Sequence, residues 1–117
     1  MKYIDSLKEG LNNLLKNDSK VILLGEDIGE PYGGAFRVTK GLSSRYPKQV
    51  ISTPMSESAL TGIAVGMALN GYKPILEIMF GDFITLCADQ IINHASKFPF
   101  LFGKDINMVI RTPMGNR

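Results

Sequence analysis

The sequence predicts an α/β fold with a mainly parallel, doubly wound sheet. Short apolar runs that suit strands covered on both faces alternate along the chain with segments of helical periodicity. No linker, internal repeat or low-complexity tract divides these segments. A length of 117 residues suits one domain, so residues 1–117 are expected to form a single unit.

The order of the elements follows from the apolar spacing. An amphipathic helix is expected over residues 3–16, a strand over 21–24 that ends at Gly25, a loop over 25–37 and a short helix over 38–46. The remaining elements are expected to be a strand at 50–51, a helix that begins after the N-cap Ser56 and ends near 70–71, a strand at 74–80, a helix at 82–97 and a strand at 108–111.

Two of these helices carry patterns that bear on packing. The helix after Ser56 has small residues that lower its helix propensity, so a closely packed neighbour is expected. These residues are Gly62, Ala64, Gly66 and Ala68. On the helix at 82–97, Phe83, Cys87 and Ile91 are expected to share one face.

Composition excludes several classes of protein. The formal net charge of +2 comes from 13 basic and 11 acidic residues that are spread along the chain, so no nucleic-acid partner is expected. The single cysteine excludes a disulfide framework, and no segment approaches the ~20 apolar residues that cross a bilayer, so no membrane is expected. A soluble protein of the cytoplasm, or of the mitochondrial matrix in a eukaryote, is the expectation.

The glycine-rich loop after the first strand does not match a phosphate-binding motif. Its sequence GEDIGEPYGG fits neither G-x-G-x-x-G nor a P-loop, and Glu26, Asp27 and Glu30 would repel a diphosphate. A structural or subunit-contact role is favoured for this loop, with a direct cofactor role as the alternative.

Glu57 lies at the predicted start of the helix that carries the small residues. The helix dipole stabilises a carboxylate at this position, so an exposed first-turn acid explains the residue without a catalytic role. Composition alone favours that simpler interpretation.

Four motifs in a fixed order favour a functional role for Glu57 instead. They are TP-x-SE, G-x-A-x-G-x-A, P-x-x-E-x-x-F-x-D-F and DQ-x-x-N, within residues 20–115. Together they resemble the β subunits of 2-oxoacid dehydrogenase E1 components of the pyruvate, branched-chain and acetoin type. The resemblance implies a three-layer thiamine-diphosphate-binding fold, with residues 1–117 as a transketolase-like pyrimidine-binding domain that is truncated relative to the family.

The resemblance also implies the site residues. Glu57 is the implied catalytic residue, which hydrogen-bonds a pyrimidine nitrogen and promotes the imino tautomer that deprotonates the thiazolium carbon. Phe83 is expected to pack against the aminopyrimidine, Met55 and Met79 to line the pocket, and Glu26 to approach from the first loop. From the residues alone, Phe83 and both methionines are better explained as core.

The chain contains no GDG motif of the kind that holds Mg²⁺ in thiamine enzymes, so no metal ligand is expected in it. The resemblance places that site on an E1 α-type subunit with which thiamine diphosphate is shared, so the chain is expected to be inactive alone. The implied assembly is an α2β2 heterotetramer in which the β-type chains also associate with each other. Its implied partner in the full complex is a lipoyl-bearing E2.

The implied function is oxidative decarboxylation of a 2-oxoacid with acyl transfer to lipoyl. The alternatives are a subunit of a split transketolase-like or acetoin-type enzyme, and a non-catalytic interaction module that keeps the fold. The presence of both Glu57 and Phe83 counts against the interaction module, since an interface requires neither.

Overall fold

The computed structural model describes residues 2–115 and contains one four-stranded parallel sheet. Its strands are β1 (Val21–Glu26), β2 (Val50–Thr53), β3 (Lys73–Glu77) and β4 (Val109–Arg111), in the order β2-β1-β3-β4. The α-helices are α1 (Tyr3–Asn17), α2 (Leu42–Arg45), α3 (Glu57–Leu69) and α4 (Phe98–Phe102). Each of these helices is too short or too polar to cross a bilayer.

The sheet is covered on both faces, which confirms the predicted α/β class. All six residues of β1 are buried. Leu23 packs with Leu15 of α1 on one face, in a core cluster that α2 also joins. Leu24 packs with Leu60 of α3 on the other face. Burial on both faces explains why β1 is apolar on consecutive residues rather than on alternate ones.

The predicted end of the first strand at Gly25 is wrong, because β1 continues through Glu26. Gly25 lies opposite Glu77 in the sheet, and a Cβ atom on it would lie 2.7 Å from the Glu77 carbonyl oxygen. Glycine here permits a close approach between two strands and does not end the first strand. Other boundaries differ as well, since β2 continues to 53 rather than 51, β3 ends at 77 rather than 80, and the helix within 38–46 covers only 42–45.

The regular helix predicted over 82–97 is also wrong. The chain forms a 3₁₀ helix over Gly81–Cys87 and a π-helix over Gln90–Ala95, followed by α4. With about three residues per turn, side chains four apart no longer share a face. Phe83 is therefore 45% exposed while Cys87 is fully buried, contrary to the expectation that both lie on one face.

The close neighbour predicted for α3 is present along part of the helix. A Cβ atom on Gly62 would lie 3.2 Å from Oε1 of Gln90, and Ala64 is fully buried. Gly66 has open space around it instead. The small residues therefore allow the π-helix to approach the middle of α3, and the packing does not extend to Gly66.

Replacement of Leu15 by Ala is predicted to lower the free energy of unfolding by about 2–5 kcal/mol, because Leu15 is 2% exposed within the core of α1 and β1. Chemical denaturation measures this change. Leu14→Ala is the matched control on the same helix, since Leu14 is 50% exposed, and its expected loss is below about 1 kcal/mol. Equal losses in the two variants would contradict the packing of α1.

Candidate functional site

The five residues predicted for the site lie at one edge of the sheet. Parallel strands bring their carboxyl ends to the same edge, where ligand sites of open α/β sheets are found. Glu26 is the last residue of β1, and the chain after β2 passes through Met55 to Glu57 at the start of α3. The chain after β3 passes through Met79 to Phe83 in the 3₁₀ helix.

Glu26 is a buried acid that faces the start of α3. It is 5% exposed, and its Oε1 atom has no hydrogen-bond partner among the described residues. Burial raises the pKa of Glu26, and the carboxylates of Glu57 and Asp27 raise it further, while the backbone N–H of Ser56 acts in the opposite direction. Glu26 therefore tends to keep its proton at pH values where an exposed glutamate has lost it.

Glu57 is the first residue of α3 and is half-buried. Its carbonyl oxygen accepts a hydrogen bond of 2.8 Å from the Thr61 hydroxyl. The Sγ atom of Cys87 lies 3.7 Å from the same oxygen and 3.8 Å from the carbonyl oxygen of Phe83. The predicted N-cap Ser56 occupies that position but makes no capping hydrogen bond with its side chain. The buried Cys87 thus places the end of the 3₁₀ helix that carries Phe83 against the first turn of α3.

The structure brings Glu26, Glu57 and the backbone of Phe83 together through these contacts. The ring of Phe83 is partly open to solvent, Met55 is 76% exposed, and Met79 is half-buried. Both methionines lie at the same edge of the sheet, and their place in one pocket with Glu57 stays a prediction.

Sequence analysis gave no role to Glu77 and Arg111, which form a buried ion pair at the same edge. Arg111 Nη1 donates to Oε2 of Glu77, whose side chain is fully buried. Burial raises the pKa of Glu77, and both the Arg111 guanidinium and the backbone N–H of Ala35 oppose this shift. Two signals were available: each residue ends an apolar strand with a charge, and Glu77 is the acid of the P-x-x-E-x-x-F-x-D-F motif.

Residues 1–116 match the family described as "Transketolase, pyrimidine binding domain". The chain belongs to this family. The family match agrees with the parallel sheet. Within residues 2–115, no group of three or more His, Cys, Asp or Glu side chains is placed to hold a metal ion.

Similar proteins support the resemblance to E1 β subunits. The chain is 41% identical to the acetoin:2,6-dichlorophenolindophenol oxidoreductase subunit beta of Cupriavidus necator, over 94% of this chain and 36% of that protein. It is 38% identical to the 2-oxoisovalerate dehydrogenase subunit beta of Bacillus subtilis, over 98% and 36%. It is 40% identical to the mitochondrial pyruvate dehydrogenase E1 component subunit beta of Homo sapiens, over 95% and 32%. The chain thus spans about a third of the length of these relatives.

Replacement of Glu26 by Gln is predicted to change how stability depends on pH. Because the folded-state pKa is raised, the folded protein binds this proton more tightly than the unfolded chain, whose glutamate pKa is about 4.3. The contribution of Glu26 to stability is therefore present at low pH and is lost as pH rises through the raised pKa. The variant should gain stability relative to the parent between about pH 4 and about pH 8.

Denaturant unfolding at both pH values measures this difference, and Glu9→Gln, at an exposed position on α1, is the control. The raised pKa of Glu77 is common to all three proteins and cancels. Parallel pH profiles for the parent and Glu26→Gln would contradict the burial of an ionisable Glu26.

Proposed function

We propose that this chain is the pyrimidine-binding half-site of a thiamine-diphosphate-dependent 2-oxoacid dehydrogenase E1, of the β type. The observation that carries the proposal is Glu57 at the start of α3, beside the buried Glu26 and the partly exposed Phe83. In this function, bound thiamine diphosphate supplies the carbanion chemistry that decarboxylates a 2-oxoacid, and the acyl group passes to lipoyl.

The residues present fit the aminopyrimidine end of this cofactor. A flat ring with polar nitrogens needs an apolar contact on its face and a carboxyl group at its edge. Phe83 offers an exposed aromatic ring, and Met55 and Met79 add apolar surface at the same edge. Glu57 would accept or donate the hydrogen bond to the ring nitrogen, with its carboxyl group held at the positive end of α3.

Glu26 supports this role of Glu57 through its charge state. Two neighbouring carboxyl groups disfavour the state in which both are charged, and burial together with the nearby Glu57 raises the pKa of Glu26. The unpartnered Oε1 atom of Glu26 also leaves an acceptor free at the site.

The diphosphate end of the cofactor does not fit this edge of the sheet. Asp27 follows β1 with a further carboxyl group beside Glu26 and Glu57, and within residues 2–115 no metal-binding cluster is present that could offset a diphosphate among these acids. We therefore assign Mg²⁺ and the diphosphate to an α-type subunit. The relatives' names as beta subunits support an assembly of this kind, which we propose to be an α2β2 heterotetramer.

The remaining parts of the proposal concern substrate, partners and location. Relatives named for 2-oxoisovalerate and pyruvate are 38% and 40% identical, so the proposal names only the class of 2-oxoacids. The relative named for acetoin, at 41% identity, corresponds to the acetoin-type alternative, because acetoin is not a 2-oxoacid. A lipoyl-bearing E2 would receive the acyl group, and the β-type chains would self-associate. The proposed location is the cytoplasm, or the mitochondrial matrix in a eukaryote.

Replacement of Glu57 by Gln is predicted to weaken thiamine-diphosphate binding about 10- to 100-fold, because a hydrogen bond to a charged group is worth about 1.5–3 kcal/mol. The chain is mixed with an E1 α-type subunit and Mg²⁺, and binding is measured by calorimetry. Hydrogen–deuterium exchange at the thiazolium carbon of the bound cofactor is measured in parallel and should fall by a larger factor.

Glu9→Gln on α1 is the matched control for this experiment, since it makes the same chemical change on the opposite face of the sheet. Binding and exchange should equal those of the parent. Unchanged exchange in Glu57→Gln would overturn the proposed role of Glu57 and would favour a non-catalytic interaction module.

A further inference from the structure

The buried pair of Glu77 and Arg111 lies on the face of the sheet opposite to Glu26. Glu77 pairs with Gly25 across β1 and β3, so the two side-chain positions share a face. Glu26 is the next residue along β1 and therefore points to the other face, toward Ser56 and Glu57. The two buried acids are thus separated by the sheet and are connected by the chain that follows Glu26.

That chain is the loop of residues 27–41, which returns across the face of Glu77. A Cβ atom on Gly34 would lie 3.4 Å from Oε1 of Glu77, and the backbone N–H of Ala35 acts on the same carboxylate. The N–H of Gly34 donates a 2.9 Å hydrogen bond to the carbonyl oxygen of Asp27, the residue directly after Glu26. One turn of the loop therefore contacts Glu77 and also fixes the residue that follows Glu26.

The backbone of this loop takes disfavoured conformations at three residues that are not glycine. Asp27, Phe36 and Arg37 have φ angles of 51°, 54° and 58°, in the left-handed region that side chains disfavour by roughly 1–2 kcal/mol per residue. Such conformations persist only where the surrounding structure imposes them. Within the loop, the Thr39 hydroxyl donates a buried 2.8 Å hydrogen bond to the carbonyl oxygen of Ile28.

Fold stability alone does not explain why a charged pair is buried at Glu77 and Arg111. Burying two charges costs several kcal/mol per ion, and apolar residues of similar size often stabilise a fold as well or better. Glu77 keeps its Oε1 atom without a hydrogen-bond partner among the described residues, on the side where Gly34 lies. A carboxylate that faces a glycine turn on one side and Arg111 on the other is suited to holding that turn in one place.

We propose that Glu77 is a positioning residue for the candidate site: its buried carboxylate, paired with Arg111, holds the Gly34–Ala35 turn and thereby keeps Glu26 buried beside Glu57. This inference deepens the proposed function and rests on it for the meaning of the site. Its structural content concerns the chain alone and is testable without cofactor.

The first test is limited proteolysis of the Glu77→Gln variant under native conditions. Gln keeps the shape of the side chain but leaves Arg111 without its counter-charge. Trypsin cleavage after Arg37 and Lys40, both exposed in the loop, should rise at least about tenfold, because cleavage follows local opening. Cleavage after Lys16 in α1 and after Lys97 should change less than about twofold.

The second test follows the ionisation of Glu26 by NMR. The chain has five glutamates, so ¹³C-labelled glutamate gives five carboxyl signals, and Glu26→Gln identifies the Glu26 signal. In the parent, Glu57 and Asp27 are the acids that face Glu26, and they are unchanged in Glu77→Gln. Release of the loop breaks the hydrogen bond from Gly34 to Asp27, so the end of β1 can open and expose Glu26 to water. The pKa of Glu26 should then fall toward the ordinary glutamate value in this variant. A general loss of stability with an intact loop would not move it.

Gly34→Ala provides a second variant that keeps the Glu77–Arg111 pair. Its Cβ atom would lie 2.5 Å from the Thr39 hydroxyl oxygen at a φ of 72°, so the turn must move. The same loop-specific cleavage and the same fall in the Glu26 pKa are expected. This variant carries the test if Glu77→Gln does not fold. Asp18→Asn is the matched control, because it removes the exposed 2.7 Å pair with Lys73 elsewhere, and it should change neither readout.

Two results would overturn the proposal. One is a rise in cleavage after Lys16 and Lys97 equal to that after Arg37, which would show a global loss of stability. The other is an unchanged Glu26 pKa in a folded variant. Both measurements omit thiamine diphosphate, so their failure leaves the Glu57→Gln binding test unaffected, and failure of that test leaves the Glu77 result standing.

Discussion

The burial of β1 on both faces is the constraint on which the other features of this structure depend. All six of its residues are removed from water, which requires α1 and α2 on one side and α3 with the 3₁₀ helix on the other. Parallel neighbours then bring three strand ends to one edge of the sheet. Glu26 is buried because it is the last residue of β1, and the hydrogen bond from Gly34 to Asp27 ties that strand end to the loop that follows.

Much of the fold could be predicted because its signals are local. The apolar run of β1 and the amphipathic spacing of α1 each identify one element, and the structure confirms both. The winding of the segment after β3 could not be predicted, because helical periodicity over seven residues does not separate three residues per turn from 3.6. Gly25 was misread for a different reason, since its close approach to Glu77 depends on the pairing of strands far apart in sequence.

The candidate site shows the same division between local and non-local information. The position of Glu57 at a helix start follows from residues 53–57, and the family motifs point to it directly. The contact of Glu26 with the start of α3 needs the strand register. The Glu77–Arg111 pair joins residues 34 apart in the sequence, on strands that neighbour each other only once the sheet order is known. No spacing rule within either strand could have found it.

The uneven winding of the segment that carries Phe83 has a geometric consequence. A 3₁₀ helix rises about 2.0 Å per residue and an α-helix about 1.5 Å, so the seven residues of Gly81–Cys87 are about 3 Å longer than the same stretch of regular helix. Cys87 is anchored in the core, whereas the Phe83 ring is not. Phe83 lies four residues before Cys87, so rewinding this stretch with Cys87 fixed would draw the aromatic ring along the helix axis by up to about 2 Å. The segment next to the candidate site can therefore shorten by a change of winding, which a uniform α-helix cannot do.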